Sequence, residues 1–143
     1  MNTMSTANIS AKDVMALRQK TGLGMMDCKK ALVEANGDIA TAETHLRAKL
    51  KGKMDERTDR AAGEGCIAVK YEGDKAAILE VRAETDFTAR NDDFVAMVDK
   101  VADHAGSCSA GCITATDEMT KTIDDMRIVT GENMSFSRGI KLE

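Results

Sequence analysis

The stretch CIAVKYEGDKAAILEVRA, residues 66–83, decides the fold. Cys66 to Tyr71 is a β-prone run, and Glu72-Gly73-Asp74-Lys75 has the composition of a hairpin turn. Residues 76–83 resume the strand, with Ile78, Leu79 and Val81 apolar and Glu80 and Arg82 alternating with them. Two strands joined by a tight turn are antiparallel, and their apolar positions need a cover. Downstream, Thr85-Asp86-Phe87 ends the second strand, and Asn91 has the chemistry of an N-cap. The helix it starts carries Phe94, Val95, Val98, Val101 and Ala102 at helical spacing. Residues 107–116 read as loop, 117–128 as a second helix stopped by Thr130-Gly131, and 133–142 as a closing strand. In that strand Met134, Phe136 and Ile140 alternate less cleanly. The expected class is α+β, a three-stranded antiparallel sheet with helices on one face.

Upstream the pattern changes to short helices. Ser10 with Asp13 three residues later makes a capping-box-like start, and Val14, Leu17 and Arg18 follow at helical spacing. Thr21-Gly22-Leu23-Gly24 stops this helix. A second begins near Met26, turns Ala31, Leu32 and Ala35 inward, and ends at Asn36-Gly37. Asp38 caps a third, whose faces are defined by Ile39, Ala42, Glu43 and Leu46. The segment AKLKGKMDERTDR, residues 48–60, is so highly charged that it reads as an exposed helical extension or linker with nothing to fill a core. Charge supports a division there: residues 1–55 hold nine Lys and Arg against six Asp and Glu, and residues 56–143 hold eleven against eighteen. The expected organisation is a three-helix domain over 1–50, a charged helical linker over 51–62 and an α+β core over 63–143.

Composition narrows the function. The chain has 143 residues, 43% of them hydrophobic and 31% charged, which suits a folded and soluble protein. There is no apolar run of membrane-spanning length. The first ten residues show no basic or apolar targeting pattern, so a cytoplasmic location is expected. Three Phe, one Tyr and no Trp offer few platforms for stacking bases. Cys28, Cys66, Cys108 and Cys112 read as free thiols in a reducing compartment. His104, Cys108 and Cys112 would share one face of a helix and form a soft metal cluster, but Gly106 and Gly111 interrupt the stretch and no fourth ligand is evident. Neither a metal site nor a cofactor is expected.

No catalytic constellation stands out: GxSxG, HExxH and a Walker-type phosphate loop are all missing. Two segments look suited to contact with another molecule instead. Gly24-Met25-Met26 places adjacent flexible thioethers beside a glycine turn, with Asp27, Lys29 and Lys30 next to them. Consecutive helical side chains diverge by about 100°, so one Met is expected outside unless both help fill a small Met-rich core. Thr85-Asp86-Phe87 ends a strand on an acid and a large aromatic. Phe87 either anchors in a partner or folds back beneath the Phe94 helix, with Asp86 a plain cap.

Residues 21–32, TGLGMMDCKKAL, with Glu34-Ala35-Asn36-Gly37-Asp38, closely resemble the N-terminal signature of the elongation factor Ts family. Glu84-Thr85-Asp86-Phe87-Thr88-Ala89-Arg90-Asn91 resembles its central TDFVARN signature, and Gly131-Glu132-Asn133-Met134 its later GEN-I segment. The resemblance implies a ubiquitin-associated-like three-helix domain ahead of an α+β core. It also implies guanine-nucleotide exchange on the GTPase elongation factor Tu, with no covalent chemistry. Carried over by motif, Phe87 is a wedge between helices of the GTPase, Asp86 disturbs the water-mediated hold on its Mg²⁺, and Thr85 orients the loop. Gly24, Met25, Met26 and Lys29 are the implied contacts beside the nucleotide pocket. Departures are Thr88 where the family usually has Val, and Ser135-Phe136-Ser137-Arg138 where it usually has paired arginines. The spacing from His104 to Gly131 leaves no room for the second core subdomain and helical-hairpin insertion of longer members. Short members pair as homodimers, for which residues 134–142 offer an expected edge strand. Two other readings stay open: a non-exchanging module that recognises a ubiquitin-like or nascent-chain partner, and a degenerate member that binds the GTPase without promoting exchange.

Overall fold

A computed structural model describes residues 8–143; residues 1–7, part of the stretch read for targeting signals, lie outside the described residues. The chain divides between Lys53 and Met54 into two compact units. The first is built from α1 (Ala11–Thr21), α2 (Met25–Glu34) and most of α3 (Ile39–Asp55). The polar caps fall where the sequence places them. Ser10 accepts the Asp13 amide, and Gly22 closes α1 in the left-handed conformation. Asp38 accepts the Thr41 amide at the start of α3. Val14, Leu17, Leu23, Cys28, Ala31, Leu32, Ala42 and Leu46 are buried and form the small core. At the surface, Glu43 on α3 accepts from Lys20 on α1 and from Arg47 one turn along.

The third helix runs through the charged stretch to Asp55, and Met54 within that stretch is buried. The expectation that nothing there fills a core is therefore corrected. Residues beyond the helix are also tied down by hydrogen bonds. Arg57 Nη1 donates to the Gly131 carbonyl at 3.0 Å, and the carbonyls of Thr58 and Arg60 accept from Asn133 Nδ2.

The second unit holds the sheet and three more helices: β1 (Glu64–Glu72), β2 (Lys75–Ala83), α4 (Asp86–Ala89), α5 (Asp92–Ala105), β3 (Gly111–Cys112), α6 (Asp117–Thr130) and β4 (Ser135–Leu142). It is α+β, but its antiparallel sheet has four strands, in the order β1-β2-β4-β3, where the sequence led us to expect three. The fourth is a two-residue pairing of Gly111 and Cys112 with Lys141 and Ile140, inside the segment read as loop. This pairing flanks the C-terminal half of β4, so β4 is an inner strand there and not the expected edge.

The hairpin register pairs Glu72 with Lys75 across Gly73-Asp74. One face of the sheet carries Ala77, Leu79, Val81 and Ala83 into a core shared with Phe94, Val98, Val101, Met119 and Ile123. Asn91 caps α5 by accepting the Asp93 amide, and of the five residues at helical spacing Val95 is exposed, whereas Met97, outside that set, is buried. The irregular alternation of β4 has a structural cause. Glu80 pairs with Arg138 but Val81 pairs with Phe136, so Ser137 is an extra residue that turns Phe136 to the core side. Ile140, pairing with Ile78, lies on the opposite face with Ile67, Val69, Tyr71 and Leu142, all of them exposed.

Candidate functional site

Thr85 is the N-cap of α4, which is a single helical turn of four residues. Its hydroxyl accepts the Thr88 amide at 3.3 Å. Of the four helical residues only Ala89 is buried. Phe87, on the outward side of this turn, is 84% exposed, whereas Phe94 is fully buried and Phe136 packs against the core. The alternative in which Phe87 folds beneath the Phe94 helix is thereby corrected. Asp86 is half-buried in the same turn.

The turn is held from both ends by residues distant in sequence. The Glu132 carboxylate accepts the Thr85 amide at 3.1 Å and the Thr85 hydroxyl at 3.1 and 3.3 Å, one distance to each oxygen. It also accepts the Thr88 hydroxyl. At the other end the Cys66 thiol donates to the Ala89 carbonyl at 3.0 Å. Burial pushes the Cys66 thiol up from its ordinary value, and the nearby charge of Asp99 adds to this. Just before the turn, Glu84 accepts the Asn133 amide at 2.7 Å. The later GEN-like segment is thus the support of the central one. Gly131 ends α6 in the left-handed region, Glu132 clamps α4, and Asn133 ties Glu84 to the segment after α3. Glu132 and Glu84 were not singled out from the sequence.

In the first unit, Gly24 is the N-cap of α2, with no side chain to cap the helix. The preceding turn is fixed from inside. Leu23 is buried, Thr21 Oγ1 donates to the Leu17 carbonyl at 2.8 Å, and the same hydroxyl accepts the Leu23 amide. Cys28 takes the inward position of the first turn, which leaves Met25 and Met26 at 45% and 69% exposure. Lys29 is exposed beside them. Neither Met fills the core, so the Met-rich core alternative is corrected too. Gly24, Met25, Met26 and Lys29 therefore come together at one helix start, and Thr85, Asp86 and Phe87 on one helical turn; the two groups lie in different units.

The thiols are arranged differently from the helical cluster considered above. His104 is in the last turn of α5, Cys108 lies in the turn that follows, and Cys112 is on β3. All four cysteines are free, and among the described residues no group of three or more His, Cys, Asp and Glu is placed to hold a metal. No helix among the described residues is long and apolar enough to cross a membrane.

Fold and site together define a two-unit α+β protein in which Phe87 stands exposed on a braced one-turn helix of one unit, and Met25, Met26 and Lys29 stand exposed at a helix start of the other. The particular likeness comes from comparison with known proteins. The chain is 44% identical over 144 residues to elongation factor Ts of Rhizobium rhizogenes (strain K84), covering 94% of this chain and 46% of that protein. It is 45% identical over 141 residues to the same factor of Brucella anthropi, covering 94% and 46%. For the factor of Rhizobium meliloti (strain 1021) the figures are 45% over 143 residues, 94% and 47%. No family model matches the chain. Along nearly all of its own length the chain is similar to proteins named elongation factor Ts. The chain spans a little under half the length of the curated relatives it matches.

Proposed function

We propose that this chain is a guanine-nucleotide exchange factor that binds elongation factor Tu in the cytoplasm and promotes GDP release, without covalent chemistry. The observation that carries the reading is the 84% exposure of Phe87 in a chain with only three Phe. An exposed large aromatic contributes little to its own fold and becomes an anchor once a partner buries it. An exchange factor needs no acid or base. It must bind the nucleotide-free GTPase more tightly than the GDP-bound form, and by linkage nucleotide weakens its own hold. A hundredfold shift in GDP affinity corresponds to about 2.7 kcal/mol of differential contact, within reach of one buried aromatic and one displaced ion contact.

In this reading Phe87 is the wedge, Asp86 disturbs the water-mediated hold on the GTPase's Mg²⁺, and Thr85 sets the turn. Gly24, Met25, Met26 and Lys29 form a second contact, where exposed thioethers conform to an apolar surface and Lys29 supplies charge. The exposed apolar sheet face of Ile67, Val69, Tyr71, Ile78, Ile140 and Leu142 supports pairing with a second copy. That part of the proposal replaces the edge-strand route, and equilibrium sedimentation showing only 15.4 kDa particles at high concentration overturns it.

Release of fluorescent GDP from elongation factor Tu tests the main proposal. Acceleration by the wild type, largely lost in Phe87→Ala while binding persists, supports it. Binding without acceleration indicates a degenerate member, and no binding leaves a module for some other partner.

A further inference from the structure

We infer that Glu132 is a positioning residue for exchange, holding the one-turn helix α4 so that Phe87 is presented outward in a single orientation. This rests on the exchange reading above. A helix of four residues does not persist on its own, because one turn fixes several backbone torsions for very few hydrogen bonds. Burial supplies little help here, since Ala89 is the sole buried residue of α4. Further order comes from side chains outside the turn: the Cys66 thiol donates to the Ala89 carbonyl, and Glu132 takes the Thr85 amide, the Thr85 hydroxyl and the Thr88 hydroxyl.

Two of those donors are hydroxyls at either end of the turn, so one carboxylate fixes both where α4 starts and how it is rotated. The support is itself fixed. Glu132 follows the left-handed Gly131, whose carbonyl accepts from Arg57. It precedes Asn133, whose amide donates to Glu84 and whose side chain donates to the carbonyls of Thr58 and Arg60. Thr88 has a particular place in this arrangement. A Val at that position would fill the same space but donate nothing, so the Thr88 hydroxyl gives this chain one more bond to the clamp. Holding an anchor ready in its docked orientation removes the ordering cost that a free loop would incur on binding.

The test is fluorescent-GDP release from elongation factor Tu by the full 143-residue chain and its variants Phe87→Ala, Glu132→Ala, Thr88→Val and the double variant Phe87→Ala with Glu132→Ala. Glu132→Ala is expected to slow exchange about tenfold, the loss of charge-assisted bonds to a single carboxylate. Thr88→Val, lacking one donor, is expected to slow it about threefold. Because Glu132 acts through the turn that carries Phe87, Glu132→Ala costs clearly less in the Phe87→Ala background than alone. Additive losses would assign Glu132 to general folding and overturn the inference. So would unchanged exchange in Glu132→Ala when Phe87→Ala is impaired, a result that leaves the exchange reading standing. Unchanged exchange in Phe87→Ala overturns both. If Glu132→Ala does not fold, the cycle of Thr88→Val against Phe87→Ala decides by the same rule: non-additive loss supports the inference, and additive or no loss overturns it.

Discussion

The backbone amide of Asn133 donates a 2.7 Å hydrogen bond to Glu84, 49 residues earlier, and so joins the end of β2 to the segment that leads into β4. The Asn133 side chain continues the link by donating to the carbonyls of Thr58 at 3.3 Å and Arg60 at 2.7 Å. One buried asparagine thus gathers three chain segments at the base of α4.

Asn133→Ala is expected to destabilise the protein by about 1–3 kcal/mol, because it strips two carbonyls of their donor at a buried position. Thermal or urea denaturation followed by circular dichroism measures this. A change below a few tenths of a kcal/mol would mean that water replaces the side chain at no cost.

The two phenylalanines seven residues apart in sequence separate surface function from folding. Phe87→Ala is expected to change stability by no more than about 0.5 kcal/mol, since the ring is exposed. Phe94→Ala, emptying a fully buried site, should cost about 3–5 kcal/mol. Comparable losses for both in denaturant melts would show that Phe87 is packed in solution.

Gly65, near the start of β1, has φ +153°, and a Cβ there would lie 2.2 Å from the Val81 carbonyl oxygen and 2.8 Å from Arg82 Cα. Both clashes are with backbone of the paired strand, which cannot step aside as a side chain would. Gly65→Ala is expected to cost about 1–3 kcal/mol and to weaken the hairpin selectively. Amide exchange of the β1–β2 pairs, faster in the variant, is the direct readout.

Thiol alkylation should resolve the cysteines by exposure and by charge. Cys112 is exposed and reacts first; Cys28 is buried and reacts only on unfolding. Cys66 is held back at neutral pH because burial, together with Asp99, favours its protonated form. Its folded value is raised, so folding stabilises the thiol, and that contribution is present below the ordinary thiol range and lost as pH rises through the folded value. Cys66 labelling, followed by mass spectrometry, should therefore rise later with pH than that of an unfolded control. Coincident profiles would remove the burial effect.

Most of the helical frame was legible because its signals are local. Ser10, Asp38, Asn91 and Gly131 act within a few residues of themselves, and they end or begin helices where their chemistry requires. The hairpin was legible for the same reason. The pairing of Gly111 and Cys112 was not, since two residues have no period to read. The clamp on α4 was hidden for a different reason. Glu132 lies 44 and 47 residues from the groups it binds, and no spacing rule reaches that far. Phe87 was ambiguous because an aromatic at a strand end can turn either way. Its direction follows from the turn that Thr85 caps and Glu132 holds, a turn too short to show periodicity.

The sheet order puts β4, which is made after β1, β2 and β3, between β2 and the two-residue β3. A ribosome must therefore deliver residue 142 before the inner ladder can close, and until then β2 shows a bare row of amides and carbonyls beside an already made hairpin. For that interval the nascent second unit is an open template, vulnerable to pairing with whatever extended chain is nearby.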